Sequence, residues 1–148
     1  MLEIDHVAAA VEDVDATVEA FEAAGAEHVW TTVEEEFSER VAYMLAGTDM
    51  FTLLGPTGED SVLTPFLETR GPGFHHIGVN VADLDAAVEA FEAMGGEVTT
   101  EATVDGVREE VTFDPGSWNG LEIQLIEWDD SVGSTARDHI EAMRDAHE

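Results

Sequence analysis

The amino-acid sequence predicts an α+β fold built from two tandem βαβββ modules and a C-terminal helix. Three observations predict it. Residues His6 to Glu27 reappear without a gap as His76 to Glu97, and at this offset of 70 residues 13 of the 22 positions are identical. In each copy a period-two apolar pattern gives way to a helical period and then to three further strand-like runs. The chain has 148 residues, near the usual size of one domain, and a repeat of this length buries its apolar face against its partner, so both copies should share one domain.

Each copy opens with a strand, residues 4–11 and 74–81. Asp13 and Asp83 stand just before the helical pattern, where a carboxylate can accept from unpaired backbone N–H groups. Val14, Val18 and Phe21, like Leu84, Val88 and Phe91, recur at helical spacing and mark a buried stripe. Gly25 and Gly95 end the helices. The strands that follow are Ala26–Val33, Arg40–Ala46 and Met50–Leu54 in the first copy, and Glu97–Val104, Arg108–Phe113 and Leu121–Glu127 in the second. The first module therefore spans residues 1–57 and the second 74–130. Between them, residues 58–73 hold a short helix at Ser61–Glu68, with Pro65 near its start, between Gly55-Pro56-Thr57-Gly58 and Gly71-Pro72-Gly73. Val62, Leu63, Phe66 and Leu67 need covering, so this linker should be ordered. Ser131–Glu148 reads as a polar helical tail.

The chain carries 34 acidic residues against five arginines and no lysine, a net charge of −29, yet 44% of its residues are hydrophobic. Regular apolar patterning at that content predicts folding rather than disorder. Such charge repels phosphate backbones and anionic lipid, which excludes nucleic-acid and membrane partners. It is best tolerated where salt screens self-repulsion, so a halophilic, salt-stabilised cytoplasmic protein is expected. With no cysteine, thiolate and disulfide chemistry are excluded. No secretory leader and no apolar run of membrane-spanning length are evident.

The chemistry-bearing residues are the two histidines that open the copies. Side chains alternate along a strand, so His6 shares a face with Ala8 and Ala10, and His76 with Gly78 and Asn80. Small neighbours leave room beside both rings, which suits a cavity and a matched pair of metal ligands. His75 should face the other way as a surface or sheet-packing residue. His28, His139 and His147 read as solvent-exposed.

Three stretches carry a resemblance to a known superfamily: Ile4-Asp5-His6-Val7 running into Val11-Glu12-Asp13-Val14; Leu53 to Ser61 with Phe66 to Ile77; and Asn119 to Leu125. Together with paired βαβββ modules, they resemble the vicinal oxygen chelate superfamily of glyoxalases, bleomycin-resistance proteins and extradiol dioxygenases, and within it the methylmalonyl-CoA epimerases. The resemblance implies one curved mixed sheet around a cleft, a homodimer, and a divalent metal (Co, Mn, Zn, Ni or Fe) held by His, Glu or Gln, His, and Glu. It places these ligands on His6, Thr52, His76 and Gln124. Thr52 and Gln124 depart from the pattern, because a neutral threonine hydroxyl is a poor ligand for a divalent ion and Gln124 offers a carbonyl oxygen without a carboxylate's charge, so the metal is expected to be weakly bound or absent. Thr52, Asn80, Arg70 and Glu122 are candidate substrate contacts, Arg70 for an anionic group. Glu122, two residues from Gln124 on the same strand face, is also a candidate third ligand.

The resemblance implies a carboxylate base at Glu36, which would remove a proton α to a carbonyl while the metal stabilises the enolate oxygen. The expected function is a metal-dependent isomerase or lyase acting on a small acyl thioester or keto acid. Two other readings stand beside it. One is a metal-free small-molecule binding protein, with Trp30, Tyr43, Phe51 and Trp118 as candidate lining. The other is a non-haem iron dioxygenase with His6, His76 and Glu122 as its triad.

Overall fold

In the computed structural model, which describes residues 2–147, the element order is β1 (Glu3–Ala10), α1 (Val14–Ala23), β2 (Glu27–Glu34), β3 (Glu39–Ala46), β4 (Asp49–Pro56), α2 (Thr64–Arg70), β5 (Gly73–Asn80), α3 (Leu84–Ala93), β6 (Val98–Val104), β7 (Arg108–Phe113), β8 (Ile123–Trp128) and α4 (Ala136–His147), with a 3-10 turn at Pro115–Ser117. The fold is α+β, with two βαβββ modules and a C-terminal helix. Among the described residues no helix is long and apolar enough to cross a membrane.

The chain divides into two compact units. The first runs from Val7 to His75. Its strands lie in the order β2-β3-β4 followed by the end of β1, with β3 antiparallel to both neighbours. Helix α1 packs on β3 and β4, burying Val14 and Val18 against Ala42, Met44 and Leu53. Asp13 Oδ1 accepts from the Ala16 N–H at 3.0 Å, as the helical pattern requires. At the far end Gly25 takes a φ of +110°, a backbone state open to glycine and strained for any side chain. Phe21 departs from the expected stripe. It is 41% exposed and meets Phe51 of β4, with ring centroids 4.7 Å apart.

In the linker, Leu63 is fully buried and Phe66 and Leu67 are half-buried, while Val62 is 55% exposed, so three of the four apolar residues are covered as expected and Val62 is not. Helix α2 begins three residues later than expected and extends to Arg70. His75 is half-buried and packs on Phe66, with ring centroids 4.7 Å apart. Burial, and to a lesser degree the charge of Arg70, push its imidazole down to about 4, so it is neutral at pH 7.

The second unit runs from His76 to α4 and takes in β1 as far as His6. Its strand order is β1-β5-β8-β7-β6, with β8 parallel to β5 and antiparallel to β7. One face carries the core: Val81, Val111, Phe113, Ile123 and Leu125, covered by α3, which buries Leu84 against them. Strand β8 begins two residues later than the apolar run suggested, because Asn119 and Gly120 adopt positive φ before it. Helix α4 begins at Ala136, five residues later than expected, where Thr135 and Asp138 cap it reciprocally: the Asp138 N–H donates to Thr135 Oγ1 at 3.0 Å and the Thr135 N–H to Asp138 Oδ2 at 3.1 Å. The tail is no plain polar helix, since His139, Ile140 and Met143 are buried.

Candidate functional site

Pairing register lays out the other face of the second unit. Gly78 and Asn80 of β5 stand beside Gln124 and Ile126 of β8, and these beside Thr112 and Glu110 of β7. His76 and Glu122 continue the same rows by alternation. His6 comes in from β1 and is 4% exposed; His76 is 8% exposed.

The two imidazoles meet edge to face, with centroids 5.2 Å apart and Nε2 atoms 3.1 Å apart. Gly78 makes this approach possible. A Cβ there would collide with the His6 ring, so the small residue noted in the sequence is a space the ring fills. Gly78→Ala is expected to cost about 1–3 kcal/mol of stability, as overpacking does in a filled interior. A denaturant titration matching the wild type would contradict this packing.

Asp5 sets the orientation of His6. Its side chain is fully buried, and His6 Nδ1 donates to its Oδ2 at 2.7 Å. His139 Nδ1 and Trp128 Nε1 donate to its other oxygen at 3.1 Å and 2.9 Å. Burial alone would raise the Asp5 carboxyl, but the hydrogen bonds from His139 and His6, with the charge of Arg108, hold it well below the usual carboxylate range. An ionised carboxylate can only accept, so the proton of neutral His6 sits on Nδ1 and its Nε2 carries a lone pair. His76 Nδ1 faces Glu122 Oε2 at 3.7 Å, and the Glu122 side chain is 26% exposed.

Two ligand atoms each about 2.1 Å from an ion and roughly 90–109° apart are separated by about 3.0–3.4 Å. The Nε2 separation falls in that range. Gln124 adds a second observation: its Oε1 is buried without a hydrogen-bond partner, a state that costs about 1–3 kcal/mol unless something supplies positive charge. The residues present therefore fit a divalent ion.

The other sequence candidates are placed as follows. Asn80 Oδ1 accepts from Trp128 Nε1 at 3.0 Å, which commits it to the aromatic wall of this face. Thr52, in the first unit, is buried, and its Oγ1 has no hydrogen-bond partner. Arg70 is exposed, its guanidinium 5.7 Å from the Phe66 centroid. Glu36 lies exposed in the turn between β2 and β3. Of the four candidate aromatics, Trp30 stacks on Tyr43, Phe51 meets Phe21 and Trp118 stacks on Phe91.

Two expectations about histidines are corrected. His139 is 6% exposed, stacked on Trp128 with centroids 4.1 Å apart, because Asp5 offers it a buried acceptor. His28 is half-buried, with Nε2 2.6 Å from Thr31 Oγ1. His147 is exposed, as expected. Asp5 and His139 were missed as site residues. The repeat gave no signal for Asp5, which corresponds to His75 at the 70-residue offset.

The description "Glyoxalase/Bleomycin resistance protein/Dioxygenase superfamily" matches residues 5–113. No protein of curated function matches the chain in sequence. Among solved structures, the chain is similar to a methylmalonyl-CoA epimerase from Mycobacterium tuberculosis, with 27% identity over 85% of this chain and 87% of that one, at a TM-score of 0.76. It is also similar to a variant methylmalonyl-CoA epimerase from Streptomyces coelicolor in complex with 2-nitronate-propionyl-CoA, with 32% identity over 84% and 96%, at a TM-score of 0.73. A hypothetical protein from Bacillus halodurans, 18% identical over 90% and 99%, has the same fold at a TM-score of 0.80. The chain belongs to the glyoxalase, bleomycin resistance protein and dioxygenase superfamily.

Proposed function

We propose that this protein is a divalent-metal-dependent enzyme that moves a proton on the carbon next to a carbonyl, an epimerase-like isomerase or lyase. The observation that carries the reading is the 3.1 Å approach of the His6 and His76 Nε2 atoms, with Asp5 keeping the His6 lone pair turned toward it. His6, His76 and Gln124 would hold the ion. A divalent ion supplies Lewis acidity there, stabilising negative charge as it develops on a carbonyl oxygen.

The remaining chemistry belongs to the chain. A carboxylate takes the α-proton: the C–H bond breaks, an O–H bond forms on the carboxyl group, and the electron pair moves to the carbonyl oxygen as an enolate. Delivery of a solvent-derived proton to the opposite face of the planar enolate completes an epimerisation, and the carboxyl group returns its proton to water. We assign the carboxylate to Glu122, which stands at His76 on the face that carries both histidines and keeps partial access to solvent. Glu36 is the rival that the family resemblance implies; it lies exposed in the turn between β2 and β3. Thr52, Asn80 and Arg70 remain proposed substrate contacts.

The solved epimerases suggest an acyl-CoA. With only five arginines against a net charge of −29, a polyanionic handle would find few partners, so the substrate class proposed is a small acyl thioester or keto acid. The test is exchange of the α-proton in deuterated water with metal-loaded protein. Glu122→Gln is expected to slow exchange by about 10²–10⁴-fold, the usual contribution of a positioned base, and Glu36→Gln to leave it within a few-fold. The reverse pattern moves the base to Glu36.

The closeness of Glu122 to His76 also favours a second reading, a non-haem iron dioxygenase with two histidines and a carboxylate. Oxygen uptake by iron-loaded protein without α-proton exchange would select it. Absence of exchange, oxygen uptake and metal binding together would leave a metal-free binding protein.

A further inference from the structure

We infer that the C-terminal helix is a working part of this site: His139, acting through Asp5, fixes the orientation and tautomer of the His6 imidazole. The inference rests on the metal reading for its consequence, though its structural content can be tested in metal-free protein. Four observations carry it. Asp5 is fully buried, and its acceptors are divided, Oδ2 to His6 and Oδ1 to His139 and Trp128. His139 is itself held, stacked within 16° of parallel on Trp128. Trp128 is fixed in turn by donating to both Asp5 and Asn80. On α4, His139 sits beside fully buried Ile140 and Met143, so helix docking and the hydrogen bond to Asp5 form together.

The physical consequence follows from the single degree of freedom at stake. A carboxylate bonded on one oxygen alone can rotate about its Cβ–Cγ bond and release the imidazole. Bonded on both, it cannot turn without breaking two buried hydrogen bonds to Oδ1. Asp5 therefore presents Oδ2 to His6 in one position, which keeps the His6 proton on Nδ1 and the lone pair on Nε2. Carboxylates that orient a ligating histidine in this way typically contribute 10–100-fold to metal affinity. The two modules differ here: His6 has a buried carboxylate tied to α4, whereas His76 has the partly exposed Glu122. His139 is thus a positioning residue; it touches neither the ion nor a substrate.

The experiment uses the full chain and two readouts. Cobalt(II) affinity is measured calorimetrically in wild type, His139→Ala and His139→Asn, and imidazole nitrogen spectra of the metal-free proteins report the His6 tautomer. His139→Ala is expected to weaken cobalt binding about 10-fold and to turn a single Nδ1–H tautomer of His6 into a mixture. His139→Asn, whose amide can donate to Asp5, should recover most of both. If alanine unfolds the chain, His139→Phe keeps the stack on Trp128 without the donor, and the same outcomes are expected of it. A folded variant with unchanged affinity and a single His6 tautomer overturns the inference. Wild type that binds no cobalt overturns the metal reading alone, and the nitrogen spectra then decide whether His139 positions His6.

Discussion

Asp5→Ala is expected to lower the free energy of unfolding by about 3–5 kcal/mol, the usual effect of removing one partner from a buried charged cluster. Three donors, on His6, His139 and Trp128, lose an acceptor whose side chain is fully buried. Arg108, 7% exposed and with its guanidinium 5.3 Å from the Trp128 centroid, loses a compensating negative charge. Its bond to Glu110 survives, so the residual cost falls mainly on the three donors. Asp5→Asn tests the cause. It preserves the shape, but its amide nitrogen must face one of the donors, so it should recover only part of the loss. Denaturant midpoints for the three proteins at neutral pH give the comparison. A loss below about 1 kcal/mol for alanine would mean the carboxylate's desolvation cost cancels its hydrogen bonds, and the cluster would then be neutral to folding.

That carboxylate also marks where sequence reasoning stopped. Strands and helices were legible because the duplication wrote each pattern twice; Asp13 and Asp83 cap equivalent helices with the same 3.0 Å bond. The His6 and His76 pair was legible for the same reason. Asp5 was not, since alternation along a strand points it away from His6, and only its short side chain folding back to Nδ1 brings the two together. His139 lies 134 residues from its acceptor, on a helix with no counterpart in the repeat, and in a chain with 34 carboxylates a histidine on a polar tail carries no signal of burial. The buried, unpartnered oxygen of Gln124 is likewise a property of packing. From the sequence that residue was a weakened ligand; in the fold it is an acceptor lacking a donor.

Replacing His6 and His76 together with alanine is expected to weaken divalent-metal binding by at least about 10³-fold, or roughly 4 kcal/mol. Two of the three proposed ligand atoms disappear, and Gln124 alone offers one neutral carbonyl oxygen, too little to displace water from a divalent ion. The measurement must separate this centre from the surface, because a chain of net charge −29 attracts cations everywhere. Molar salt screens the diffuse attraction to about 3 Å and leaves a coordinate bond largely intact. Under those conditions wild type should bind one equivalent of metal and gain stability with it, by about 2.7 kcal/mol at a hundredfold excess over Kd, whereas the double variant should gain none. The metal-free variant keeps Asp5 bonded to His139 and Trp128, so its baseline unfolding reports only the two lost rings. Metal that stays bound at one equivalent in the variant would place the ion elsewhere on the protein. It would make the 3.1 Å contact a hydrogen bond between neutral imidazoles, with His76 Nε2–H donating to His6 Nε2, and the proposed proton transfer would lose its Lewis acid.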